Sequence, residues 1–175
     1  MKKVAAIVAI GAAAFVIGCS DKEAEQARED AKVAAQACLV EYDDVVDAMS
    51  DLDSQTLVGL SFNEHEEAVT ELSSEANSVD EIAVGKACND LVTSIVDDTV
   101  DLYVEVNSLW RDCLESYYNC PDNKWYPTAD DNWTEAAELT DEVKANLGII
   151  REISTGERDA DDYEVNGAPV DSSVS

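Results

Sequence analysis

The sequence has few basic residues and a single histidine, and each shortage argues against a class of function. Its 175 residues include 39 acidic side chains against 11 basic ones, which gives a formal net charge of −28. Binding to nucleic acid or to an anionic lipid surface depends on Lys and Arg, so we expect neither partner. One histidine without a C-x-x-C pair is a poor basis for a zinc site. We therefore expect no metal or other cofactor.

Long hydrophobic runs are missing too, since the longest apolar stretch, residues 4–17, has only 14 residues. A helix of that length is too short to span a bilayer. Hydrophobic residues nevertheless make up 46% of the chain. That share is too high for a fully disordered protein, and it is enough for the core of one compact domain.

The first eighteen residues have the pattern of a secretory signal peptide, with Lys2 and Lys3 before the apolar stretch. The stretch ends in Val16-Ile17-Gly18-Cys19. This motif resembles the lipobox of bacterial lipoproteins: two aliphatic residues, a small residue and a cysteine. The resemblance implies cleavage before Cys19 and attachment of a diacylglyceryl group to its sulfur.

Lipidation at Cys19 implies a location on the outer side of a bacterial membrane. Two acyl chains hold a protein stably on a bilayer, whereas one chain is marginal. Ser20, the second residue after cleavage, resembles the signal for sorting to the outer membrane if the host has one. We thus expect a lipid-anchored protein of the cell envelope.

The four remaining cysteines are expected to form disulfides, because an exported protein meets an oxidising environment. They are Cys38, Cys88, Cys113 and Cys120. Cys88 and Cys113 lie about 37 Å apart if they share one continuous helix, which excludes that bond. The pattern favours Cys38–Cys88 with Cys113–Cys120, and the alternative is four buried free thiols.

Apolar residues recur at intervals of three and four along most of the chain, a spacing typical of helices. We predict an all-α fold, an antiparallel bundle of about four helices with one long central helix, stapled by disulfides. Residues 19–37 are expected to consist of the lipidated cysteine and a helical stalk, because the apolar face of this segment is mainly alanine. Residues 38–153 would form the bundle, and residues 154–175 a disordered acidic tail.

Breaks between helices are predicted from capping patterns and from Gly and Pro. The central helix is expected to run through residues 84–113. The predicted breaks are a turn at 51–60, a capping-box helix start at Ser61, a kink at 97–98 and a loop at 119–132, which contains Pro121 and Pro127.

The chain contains no G-x-S-x-G, no S-x-x-K and no Gly-rich phosphate loop. His65-Glu66 begins like a zincin motif, but Val69 takes the place of the second histidine, so we expect His65 to be a solvated residue. Glu115-Ser116 resembles the catalytic pair of lytic transglycosylases in two residues only. We predict a protein that is not an enzyme, with an envelope hydrolase as the least favoured alternative.

Acidic residues line one face of the predicted central helix and are expected to be a solvated surface. Their negative potential could also attract cations or a basic protein. This acidic ridge is Asp90, Asp97, Asp101, Glu105, Asp112 and Glu115.

Aromatic residues concentrate around the predicted loop, which contains or adjoins all of the proposed interaction residues: Tyr118, Trp125, Tyr126 and Trp133. Trp and Tyr on a rigid loop suit protein recognition or stacking on sugars, and the alternative is a small core under the loop. The sequence therefore predicts a non-catalytic interaction or inhibitor module for a basic protein. A lipoprotein that binds cations or glycans is the alternative.

Overall fold

The computed structural model describes residues 20–116 and 122–158, and it confirms an all-α fold, with no strand in these two ranges. The helices are α1 (Ser20–Glu41), α2 (Asp43–Val58), α3 (Phe62–Ser78), α4 (Glu81–Cys88), α5 (Ser94–Glu115) and α6 (Asp122–Thr155). A π-helical turn, Asn89–Thr93, joins α4 to α5, and Tyr42 joins α1 to α2. The elements therefore form four rods: α1–α2, α3, α4–α5 and α6.

Short connections make successive rods run in opposite directions. Residues 59–61 connect α2 to α3, and two residues, Val79 and Asp80, connect α3 to α4. Along α6, Trp133 lies against Trp110 while Asn146 bonds to Leu91, so α6 is antiparallel to the third rod. The predicted bundle of four antiparallel helices is confirmed.

The apolar stripe that crosses from α1 into α2 forms the centre of the core. Its predicted members Cys38, Tyr42, Val45 and Met49 are all buried, and Leu52 extends the stripe by one turn. Buried partners come from every other rod and include Leu72, Val92, Val96, Tyr103, Val143 and Ile150. Helical spacing places these residues on one face, as the pattern predicts.

The first and third rods are joined by a disulfide between Cys38 and Cys88, as predicted, with their Cα atoms 5.8 Å apart. Three residues before Cys88, the backbone of Gly85 leaves the helical conformation, with φ 76° and ψ 173°. A Cβ atom at Gly85 would lie 2.9 Å from the Cβ of Ala34. Glycine is needed here both for its conformation and for the close approach of the two helices.

The predicted long central helix is present as the joined rod α4–α5, whereas the kink predicted at residues 97–98 is wrong. Its irregularities lie earlier, at Gly85 and at the π-helical turn, whereas α5 runs without a break through Asp97 and Asp98. In the π-helical turn the Leu91 carbonyl accepts a hydrogen bond of 2.7 Å from the Asn146 side chain. A buried amide from another rod thus satisfies a backbone group at the irregular turn.

Two predicted breaks are also wrong, because helices extend into them. α2 continues to Val58, so the turn predicted for residues 51–60 is reduced to its last residues. α6 begins at Asp122 and contains Pro127, so most of the loop predicted for residues 119–132 is helical. Pro127 lies in the second turn of α6, where it removes one helical hydrogen bond, and burial of Ala129 one half-turn later favours the helix.

The two ends of the chain differ in packing. Residues 22–30 of α1 are exposed on all sides, and packing begins at residue 31. α6 continues to Thr155, beyond the start of the predicted tail, and residues 159–175 lie outside the described part. Among the described residues, none of the helices has the length and apolar content needed to cross a membrane.

Candidate functional site

Seven rings from three helices gather where α5 ends and α6 begins, and we call this cluster the aromatic end. Each ring centroid lies within 6.4 Å of a neighbouring one. The rings belong to Phe62 and His65 of α3, Tyr103 and Trp110 of α5, and Trp125, Tyr126 and Trp133 of α6. The concentration of aromatics predicted from the sequence is therefore real, but it is built on helices and not on a loop.

The three tryptophans form the outer part of the aromatic end. Trp110 stacks on Trp125, with centroids 5.5 Å apart and planes 26° from parallel. Trp133 meets Trp110 edge-on at 6.3 Å, and Tyr126 meets Trp125 edge-on at 5.7 Å. Stacked and edge-to-face pairs of this kind hold aromatic side chains in fixed positions.

The predicted interaction residues differ in exposure. Tyr126 is 52% exposed, whereas Trp125 and Trp133 are half-buried. Tyr118 lies outside the described residues. The structure thus places three of the four side chains in one cluster with an open side, and their proposed role in binding stays a prediction.

Two polar groups near the tryptophans have no partner within the described chain. The indole N–H of Trp125 and the side-chain amide nitrogen of Asn132 are shielded, and neither meets an acceptor among the described residues. Buried donors are nearly always satisfied in proteins. Among the described residues, this end of the bundle therefore holds two shielded hydrogen-bond donors that have no acceptor.

His65 is fully buried at the base of the cluster, so the prediction of a solvated histidine is wrong. Its Nε2 accepts a hydrogen bond from the indole N–H of Trp133 at 3.3 Å. Its Nδ1 lies 3.5 Å from the side-chain oxygen of Asn107. The rings of Tyr103 and Trp110 also lie beside it, with centroids 6.4 and 5.8 Å away.

Burial lowers the pKa of His65 below its ordinary value of 6.5, and the hydrogen bond with Asn107 opposes that shift. The sequence contained a signal for this burial. His65 precedes Val69 and Leu72 by four and seven residues, and both are buried on the same face of α3. The helical period therefore assigns His65 to the core stripe, although its residue type favours the surface.

Tyr103 connects the aromatic end to α2. Its hydroxyl donates to Asp53 Oδ1 at 3.3 Å, and burial with the nearby Asp53 carboxylate raises the pKa of the phenol. Burial also raises the pKa of Asp53, while the hydrogen bond from Tyr103 lowers it. The pair gives the buried Tyr103 hydroxyl and the half-buried Asp53 carboxylate a partner across the bundle.

Aliphatic side chains at the neighbouring helix ends are exposed. Leu57 and Val58, the last residues of α2, are 87% and 85% exposed, and they precede Phe62 by a short turn. Leu114, at the end of α5, is 57% exposed. This end of the bundle therefore presents several large apolar side chains.

Acidic residues dominate the chain segments that form this end. Residues 51–67, 105–116 and 125–135 contain eleven Asp and Glu against one base, Arg111. Arg111 forms an ion pair with Glu66 across α3 and α5. The apolar surface is thus set in a strongly negative field.

The predicted acidic ridge is exposed along the π-helical turn and α5, in agreement with a solvated face. Burial and the neighbouring carboxylates of Glu81, Asp101 and Asp98 raise the pKa of Asp97. In the part of the chain that is described, no cluster of three or more His, Cys, Asp or Glu is arranged to hold a metal ion.

A second acidic feature is a groove of about 360 Å³ between α2 and α3. Ala48, Leu52 and Ala68 contribute its apolar lining. Its polar lining is Asp44, Asp47, Asp51, Gln55, Glu71 and Glu75.

Among the residues that the structure describes, none forms an apolar pocket around Glu115 that would prepare it for acid catalysis. It is the last residue of α5 and is exposed. A catalytic acid is usually held in an apolar pocket that keeps it protonated. The geometry gives the hydrolase alternative no support.

Of the other cysteines, Cys113 lies within the residues that the structure describes, and two lie outside them. Cys113 is disulfide-bonded. Cys19 and Cys120 lie outside the described residues, so lipidation and the Cys113–Cys120 pairing stay predictions. No family model matches the chain, and comparisons with curated proteins and with solved structures found no match.

Proposed function

We propose that the protein is a lipid-anchored, extracytoplasmic module that works without catalysis, by binding a basic protein and in that way recruiting or inhibiting it. The observation that carries this proposal is the aromatic end, where exposed Tyr126 lies on a fixed cluster of tryptophans. Trp and Tyr are the residues most enriched at the energetic centres of protein interfaces.

We propose that the partner protein binds the aromatic end through a basic surface with an apolar centre. Leu57, Val58 and Tyr126 supply exposed apolar area, and acidic side chains far outnumber basic ones around them. Complementary charge steers such a partner and accelerates its association. A second copy of the same acidic surface would be repelled, so self-association through this end is not expected.

The position of the aromatic end along the molecule fits an anchored protein. α1 and α2 run from Ser20 to Val58 and cover about 57 Å at 1.5 Å per residue, apart from the change of direction at Tyr42. An anchor at Cys19 would hold the aromatic end far from the bilayer. The exposed residues 22–30 would then act as the spacer.

The Cys38–Cys88 disulfide supports an oxidising location. The anchor is tested by metabolic labelling with a palmitate analogue in a bacterial host. The wild-type protein is expected to carry the label and Cys19→Ser to lose it. Label that persists in the variant would contradict lipidation at this residue.

Binding at the aromatic end is tested with two synthetic peptides, a basic amphipathic helix of leucine and lysine and a matched peptide with serine in place of leucine. The first peptide is expected to bind more tightly, with chemical-shift changes centred on Tyr126 and the end of α2. Binding should weaken as salt rises, because screening removes the electrostatic part.

A matched pair of variants separates the aromatic end from general acidity. Val58→Ser with Tyr126→Ser should weaken binding of the leucine peptide, whereas Val33→Ser with Val40→Ser removes two exposed apolar groups from α1 and should not. Equal binding of both peptides, with shifts spread over the acidic faces, would refute a specific docking surface. In intact cells, a photo-crosslinker at Tyr126 should capture a basic protein that a crosslinker at Val33 does not.

Cation or glycan binding is the alternative, and two observations favour it. The groove between α2 and α3 concentrates carboxylates, and Tyr126 with Trp125 offers an aromatic surface on which a sugar could stack. Calorimetry with Ca²⁺ and with cell-wall sugars distinguishes the two forms. Heat with either ligand, lost in Tyr126→Ser for a sugar or in Asp47→Asn for Ca²⁺, would support it.

A further inference from the structure

The two nitrogens of His65 are both engaged, and only a neutral ring satisfies both contacts. Asn107 presents its side-chain oxygen, which accepts, so the Nδ1 of His65 carries the proton. The indole nitrogen of Trp133 always donates, so Nε2 must be the unprotonated acceptor. His65 thus links α3 to α5 on one side and to α6 on the other.

Protonation would break the contact with α6. A hydrogen on Nε2 would point at the indole N–H of Trp133, and two donors cannot form a hydrogen bond. The ring would also carry a positive charge while fully buried. A buried charge without a partner is strongly unfavourable.

The groups around His65 offer no carboxylate that bonds directly to the imidazole. From α5 it faces the Tyr103 phenol and the Trp110 indole, while the neighbouring Arg111 is paired with Glu66 of α3. From α6 it faces Trp133, which does not titrate. The Asp53 carboxylate of α2 is reached only through Tyr103.

We propose that His65 is a pH-sensitive latch: the neutral ring holds α3, α5 and α6 together at the aromatic end, and protonation releases Trp133 and opens the cluster. Opening the cluster would change the aromatic end, where all three tryptophans of the chain meet. The latch does not depend on the proposed function, since it concerns the packing of the chain itself.

The direction of the effect follows from proton linkage. The folded ring has a lowered pKa, so the open form binds the proton more readily below pH 6.5. The open population then rises about tenfold for each pH unit, until the folded ring itself becomes protonated. Asp53 acts in the opposite sense, because its raised pKa makes protonation of that carboxyl favour the folded form.

The chain offers two specific signals for the test. It has one histidine, so a single imidazole resonance reports the titration of His65, and all three tryptophans belong to the cluster, so their fluorescence reports its packing. In the full-length protein, we expect the imidazole of His65 to titrate below pH 6.5. The tryptophan fluorescence should change over the same pH range. An imidazole that titrates at or above 6.5, or that titrates while the fluorescence and the Trp133 indole resonance stay unchanged, would overturn the proposal.

Two variants separate the latch from simple burial. His65→Gln keeps a neutral group and every carboxylate, so its fluorescence should remain constant over the range in which the wild type changes. Trp133→Phe leaves His65 titratable but removes the opposing donor, and it should raise the pKa of the imidazole toward its ordinary value. If His65→Gln responds to pH as the wild type does, carboxylates cause the response and the proposal fails.

Discussion

The close contact of α1 and α4 at Gly85 leads to a quantitative prediction for Gly85→Ala. The new side chain would adopt φ 76° and ψ 173°, a conformation that costs about 1–3 kcal/mol for residues other than glycine. Its Cβ would also lie 2.9 Å from the Cβ of Ala34, and such overpacking costs about 1–3 kcal/mol more. We expect a total loss of about 2–6 kcal/mol in the free energy of unfolding.

Two other glycines are matched controls for the two causes. Gly59 has φ 87° with nothing within 4 Å of an added Cβ, so Gly59→Ala should lose only the conformational part. Gly148 lies within α6 and is equally open, so Gly148→Ala should stabilise the protein by about 0.5–1 kcal/mol. The expected order of stability is Gly148→Ala, wild type, Gly59→Ala, Gly85→Ala.

Urea unfolding followed by circular dichroism measures this order. A double-mutant cycle with Ala34→Gly isolates the contact, because removing the Ala34 Cβ relieves the overlap but leaves the backbone conformation of Gly85→Ala unchanged. The double variant should therefore recover part of the loss. Gly85→Ala with wild-type stability, or with no coupling to Ala34, would refute the description of this contact.

Three further predictions concern cross-links and caps. Replacing Cys38 and Cys88 by Ala removes a cross-link between residues 50 positions apart, so the free energy of unfolding measured with urea should fall by about 4 kcal/mol. A variant as stable as the wild type would contradict a stabilising role for the disulfide. Asn146→Ala leaves the Leu91 carbonyl without its donor and should cost about 1–3 kcal/mol, with faster amide exchange in the π-helical turn; unchanged exchange there would argue against the contact. Ser61→Ala removes the capping box of α3 and should lower the thermal midpoint by the equivalent of about 1 kcal/mol, whereas Ser54→Ala, which lies mid-helix, should not.

Local patterns predicted the helices and much of the core, because a helix buries one face and its period shows which residues share it. The stripe through Tyr42 and Met49 is an example, as is the capping box at Ser61. The pairing of Cys38 with Cys88 was also accessible, since helix length excluded one alternative. These features depend on residues close together in the sequence or on the dimensions of a single helix.

Residue type misled the prediction where packing overrides it. Pro127 indicated a loop, yet the segment is helical even though proline in its second turn removes one hydrogen bond. His65 indicated a solvated side chain, although its spacing to Val69 and Leu72 placed it on the buried face. Gly85 gave no signal in the sequence, because its role depends on Ala34 of a different rod.

The sequence by itself determined the all-α class, the apolar stripes and the concentration of aromatic residues, since each follows from composition or from helical spacing, and it favoured the Cys38–Cys88 pairing that the structure shows. Only the tertiary structure decided that these aromatics form one cluster at the end of the bundle, with His65 neutral and shared between two helices. The physical reason is that the hydrogen bonds of His65 come from Asn107 and Trp133, which lie 42 and 68 positions away and are brought together only by packing.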